Sequence, residues 1–118
     1  MYSYSYIDAN DKLCYNHDNP FWNDVEIYHL YLGMRNIKYI DISKLINLET
    51  LILFENNLTE LDLSKNVNLR ILEIDGNNLK EIDLSYNTLI TNIVCDLKTN
   101  IKNIQSYINN KNINILFL

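Results

Sequence analysis

Three groups of residues in this chain of 118 have types and spacings that could do chemistry. Cys14, His17 and Asp18 fall within one short stretch, close enough for a thiolate and an imidazole to share a metal ion. Structural zinc takes four ligands and no second Cys/His pair follows, so the group is half a site. Asp41, Asp62 and Asp83 recur at a spacing of 21, each two places before a serine (Ser43, Ser64, Ser85). Stacked, they would make a row of carboxylates suited to a cation. Lys44 and Lys65 lie beside that row, and Asp and Ser readily bond turn backbone, so the row is expected to be structural. His29 has no Ser or Cys nucleophile at a matched position, Cys95 falls in an inward leucine slot and is expected to be a buried small hydrophobe, and two glycines cannot build a phosphate-cradling loop. The expectation is a protein that is not an enzyme and carries no cofactor or metal.

Those carboxylates are one column of a larger recurrence. Leu58, Leu61, Asp62, Leu63, Ser64 and Asn66 return 21 residues later as Leu79, Ile82, Asp83, Leu84, Ser85 and Asn87. Four units align, at residues 26–46, 47–67, 68–88 and, more weakly, 89 to about 110. The second and third open on Leu48, Leu51, Leu53, Asn56, Leu58 and on Leu69, Leu72, Ile74, Asn77, Leu79. The first keeps the apolar spacing with Ile27, Leu30, Leu32 and Ile37 but has Arg35 in the Asn slot. The fourth keeps Ile90, Ile93 and Cys95, after which one extra residue is expected before Ile101 and Ile104 resume the pattern.

In Leu-x-x-Leu-x-Leu the fourth and sixth residues share one face of a strand. Such a strand cannot bury that face alone, whereas equivalent strands stacked about 4.8 Å apart give a parallel sheet over one continuous core. A turn asparagine offers two donors and an acceptor, so Asn56 and Asn77 are expected to bond turn backbone in their own and neighbouring coils. A coil of 21 residues leaves no room for an ordinary helix on its return path. The back is therefore expected to be extended or 3-10. This pattern resembles the leucine-rich repeat family in its short, bacterial-type form. The resemblance implies a right-handed mainly β or α-β solenoid with a parallel concave sheet of about five strands, and action through protein contact. Residues 1–24 are expected to cap the first coil with Phe21 and Trp22, residues 25–110 to form the solenoid, and 111–118 to add a terminal strand.

Outward slots on the concave strands have no structural need to be apolar. They read His29, Thr50, Ile71, Asn92, then Tyr31, Ile52, Glu73, Val94, then Gly33, Phe54, Asp75, Asp96. The apolar Tyr31, Ile52, Phe54, Ile71 and Val94, with Thr50, are expected to form a partner-binding patch, bordered by Glu55, Glu73, Asp75 and Asp96. A loop or the N-terminal segment folded over it would remove it. Five strands make a face of roughly 400 Å², about half of what one partner contributes to a stable contact, so flanking turns must take part.

Composition limits the partner. A formal charge of −5 without a run of Lys or Arg disfavours direct nucleic-acid binding, and an acidic rim favours a basic protein surface. No stretch approaches the ~18 apolar residues of a membrane span, and no basic flank leads into an apolar run. With two distant cysteines this suggests a cytoplasmic, reduced chain. A small acidic chain beginning at Met suits a stoichiometric inhibitor or adaptor, for example a phage- or virus-encoded blocker of host defence in the manner of anti-CRISPR proteins. The alternative is a self-assembling protein that forms a homodimer through its apolar edge at residues 113–118.

Overall fold

The computed structural model describes residues 5 to 8, 10, 13 to 15, 27 to 102 and 112 to 118. In chain order the strands are β1 (Ser5–Asp8), β2 (Leu13–Tyr15), β3 (His29–Tyr31), β4 (Ile37–Asp41) and β5 (Thr50–Ile52). They continue as β6 (Ile71–Glu73), β7 (Glu81–Asp83), β8 (Asn92–Cys95), β9 (Asn100–Lys102) and β10 (Asn114–Phe117). No helix occurs among the described residues. The chain is a β-solenoid.

Parallel pairing joins β3, β5, β6, β8 and β10 into a five-stranded sheet. Its register follows the repeat: Leu30 lies beside Leu51, Leu51 beside Leu72, and Leu72 beside Ile93. These four, and the second column of Leu32, Leu53, Ile74 and Cys95, are buried. Burying one such side chain contributes about 1.5–3 kcal/mol, a gain available only when a neighbouring coil covers it. The strands are short because the ladder carries on into the turn: the amides of Leu32, Met34, Leu53 and Glu55 donate to the carbonyls of Ile52, Phe54, Glu73 and Asp75.

The back is extended, one of the two expected forms. β4, β7 and β9 lie there, and residues 58 to 63 follow the same course without sheet pairing. Ile37, Ile40, Ile42, Leu58, Leu63, Leu79, Ile82 and Leu84 bury the inner side of this return path. One detail departs from the sequence pattern. β7 pairs with β9 so that Ile82 faces Ile101, a step of 19 residues, so the fourth coil reaches its back two residues early rather than one late. A tighter turn makes this possible: the Thr99 amide donates to the Asp96 carbonyl at 3.0 Å, and the buried Thr99 hydroxyl donates to the Leu79 carbonyl at 2.9 Å. β10 falls 22 residues on, one more than the period, with Asn114 beside Asn92.

At the other end β1 pairs antiparallel with both β2 and β4. The first coil's back is thus extended sideways by a hairpin, with Tyr6 opposite Ile40 and packed on the core. Phe21 and Trp22 lie outside the described residues.

Two asparagine columns close the corners. Asn56 donates from Nδ2 to the carbonyls of Leu32 (2.9 Å) and Leu53 (3.0 Å), and its Oδ1 accepts from the amides of Arg35 and Ile37. Asn77 repeats this with Leu53, Ile74 and the Leu58 amide. The second column was not assigned a role from the sequence. Asn66 donates to Ile42 and Leu45, and Asn87 to Leu63 and Asn66, all to backbone carbonyls. Their Oδ1 atoms accept no hydrogen bond from protein groups. Most of these bonds reach back to the preceding coil.

The two columns therefore differ in what an alanine would leave unpaired. Asn56→Ala leaves the amides of Arg35 and Ile37 and the Leu32 carbonyl without this partner, while the Leu53 carbonyl keeps Asn77, at about 1–3 kcal/mol for each group that stays buried. Asn66→Ala takes one bond from each of the Ile42 and Leu45 carbonyls, which keep the amides of Leu45 and Leu48, and removes an unbonded oxygen. Urea unfolding followed by circular dichroism is expected to rank Asn56→Ala as the more destabilising; equal losses would show that Asn56 Oδ1 adds nothing.

The concave face as candidate functional site

The sheet register sets the outward columns. Tyr31, Ile52, Glu73, Val94 and Leu116 stand side by side, flanked by the column of His29, Thr50, Ile71, Asn92 and Asn114. Tyr31 is 63% and Ile71 41% exposed, and Glu55 is exposed at the rim. Ile52, Phe54, Glu73, Asp75, Val94 and Asp96 are half-buried. Thr50 differs: it keeps the outward register but is only 7% exposed. Its short side chain sits between the larger His29 and Ile71, which leaves little of it for a partner to touch. The described N-terminal strands lie against β4 on the back.

Phe54 explains one of the two glycines. A Cβ on Gly33 would stand 2.4 Å from the Phe54 ring, so the ring of the second coil lies over the bare backbone of the first. Any side chain at position 33 would push it off. The other glycine answers to backbone geometry. Met34, Glu55 and Gly76 occupy the same place in successive coils with φ of 57°, 50° and 69°. Glycine alone adopts that left-handed region without cost.

The acids of the face are not equivalent. Asp96 is bound to backbone, its Oδ1 accepting from the Gly76 amide at 2.9 Å and its Oδ2 from the Asn77 amide at 3.2 Å. It occupies the accepting role that Asn56 and Asn77 have in earlier coils. Asp75 has a buried Oδ1 with no hydrogen-bond partner. Burial, then the charges of Asp96 and Glu55, push its carboxyl above the usual range against the pull of its own amide. Glu73 is raised by burial and by Asp75. These two carboxylates gain from a cation brought against them.

Other candidate chemistry is absent from the described residues. No group of three His, Cys, Asp or Glu side chains could hold a metal ion among them. His17 and Asp18 lie outside the described residues. Cys95 is buried, its thiol pushed up to about 11 by burial and by Asp96 and Asp75, the reverse of a nucleophile. On the back, an open groove of about 590 Å³ is lined by Tyr39, Asp41, Ser43, Glu60 and Asp62 among others. Its two aspartates are already engaged, as is Asp83 of the next coil. Asp41 accepts from the Ser43 amide and hydroxyl, and Asp62 and Asp83 from the amides of Ser64 and Ser85. The serine hydroxyl and amide hold Asp41 and Asp62 below the usual range, and for Asp83 the amide leads. No helix of the described residues is long and apolar enough to cross a membrane. Comparison of the chain with protein-family models, curated proteins and solved structures finds no match.

Front and back carboxylates thus act oppositely on stability. The lowered Asp62 contributes stability that is present above the ordinary aspartate value of about 3.9 and is lost as pH falls through its folded value. The raised Asp75 opposes folding increasingly as pH climbs from that ordinary value to its raised one. Asp75→Asn is therefore expected to raise the melting temperature at neutral pH and to match the parent in acid, where Asp75 is protonated in both states. Asp62→Asn is expected to lower it at neutral pH. Melting curves across the acid range read both; a neutral-pH loss in Asp75→Asn would show that its charge is well solvated.

Proposed function

We propose that this chain is a non-enzymatic binding module of the leucine-rich repeat type, and that it captures a protein partner on its concave face. The reading rests chiefly on Tyr31 and Ile71, large side chains left exposed beside the half-buried carboxylates of Glu73 and Asp75. Apolar surface next to under-solvated acid matches a partner surface of apolar residues around Lys or Arg. Charge steers the encounter, and burial of the apolar groups holds it. The concave sheet is small, so Glu55 and the turn beyond Phe54 join the contact. A free, buried Cys95 suits a reducing, cytoplasmic setting. Within this reading the chain is a stoichiometric inhibitor or adaptor, such as a blocker of a host defence complex, that acts by covering a basic site on its target.

Immobilised protein exposed to an extract of its native cells is expected to retain one partner at near-equal stoichiometry. Tyr31→Asp with Ile71→Asp is expected to lose it with an unchanged circular dichroism spectrum, while Tyr39→Asp with Val67→Asp, on surfaces away from the sheet, keeps it. A cationic partner pulls the raised carboxyls of Glu73 and Asp75 toward ionisation, so retention should weaken as pH falls through their raised values. Retention by the Tyr31/Ile71 variant would place the contact elsewhere.

A further inference from the structure

Among the described residues, β10 ends the five-stranded sheet and no strand pairs with its far edge. The amides of Asn114 and Leu118 donate to the carbonyls of Thr91 and Cys95, and the Leu118 carbonyl accepts from Leu97. Even-numbered residues thus direct their backbone groups toward β8, and alternation turns those of Ile113, Ile115 and Phe117 to the free edge. Natural edges are usually guarded by a charge, a proline or a bulge. From Asn112 to Leu118 there is no charged residue and no proline, and β10 runs in unbroken register with β8.

Apolar surface gathers at the same place. Leu97, Leu116, Phe117 and Leu118 are 77, 55, 40 and 62% exposed. That amounts to roughly 500 Å² on one molecule, within the range where the largest patch of a monomer marks a contact. Two copies together expose about 1,000 Å² of it, the scale at which a specific interface begins; Leu116 and Phe117 lie on the edge strand itself, and Leu97 and Leu118 flank its end.

We propose that two copies of this chain join through β10 in an antiparallel, two-fold pairing centred on Ile115, which makes one continuous ten-stranded sheet. The register follows from two constraints. Paired residues across antiparallel strands share a face, so core-facing Ile113, Ile115 and Phe117 must meet one another. Centring on Ile115 engages the backbone of all three: Ile115 with its copy, and Ile113 with Phe117 twice. Centring on Leu116 leaves Ile113 unused. The chosen register stacks Ile113, Ile115 and Phe117 into a seam that extends both cores, since Ile113 and Ile115 already pack against their own. On the concave side Asn114 lies opposite Leu116 of the second copy. This inference does not depend on what the concave face captures.

Cysteine cross-linking reads the register directly. Asn114 and Leu116 are both exposed, so cysteines there leave the core intact. In a Cys14→Ser background, mixed Asn114→Cys and Leu116→Cys chains are expected to form at least about ten times more disulfide-linked dimer than either chain alone, because non-hydrogen-bonded pairs bring Cα atoms within disulfide range. Sedimentation of the unmodified full chain at micromolar concentration is expected to show a dimer, and Leu116→Asp, which places acid on both sides of the seam, a folded monomer by circular dichroism. A monomeric parent, or equal cross-linking in all mixtures, overturns the proposal; efficient linking of Leu116→Cys to itself overturns the register.

Discussion

Everything in this fold depends on satisfying backbone groups at corners where a parallel strand ends after three or four residues. A solenoid of 21-residue coils turns so soon that sheet pairing alone leaves carbonyls and amides buried at each bend. Asn56 and Asn77 supply the missing partners, with amide nitrogens on carbonyls and Oδ1 on amides. Given that closure, leucine columns can stack without interruption. Without it, apolar burial would be offset by unpaired polar groups worth a comparable amount.

The same economy separates the two surfaces. On the back, each aspartate folds onto the serine two residues ahead and stabilises a turn in its ionised form. On the front, Glu73 and Asp75 lose water without gaining such a donor. Carboxylates eight to ten residues apart in one coil, Asp75 and Glu73 against Asp83, are thereby bonded to a turn in one place and left under-solvated in the other. The exposed Tyr31 and Ile71 sit with the latter.

Much of this was legible in the sequence because it depends on period. Leu51, Leu72 and Ile93 fixed the sheet and its register, Asn56 and Asn77 the corner, and the short unit the extended back seen among the described residues. What escaped was set by neighbours rather than by period. Thr50 reads as outward and is outward, but His29 and Ile71 on either side close over it. The Phe54 ring rests on Gly33, a contact between coils that no single unit displays. In the fourth coil Asp96 and Thr99 replace asparagine with a carboxylate and a hydroxyl, so a turn two residues shorter looked like an insertion. Asn66 and Asn87 were visible as a repeat, yet nothing in their type alone showed that they too were buried donors.

The backward reach of the corner bonds gives the molecule a temporal polarity. Asn56 grips Leu32, Asn77 grips Leu53, Asp96 grips Gly76 and Thr99 grips Leu79, each addressing chain that is made earlier. As the polypeptide leaves the ribosome, each new coil closes the corner of the one before it, so a coil's amides and carbonyls wait for the asparagine of the next and winding follows synthesis from the amino end one coil behind.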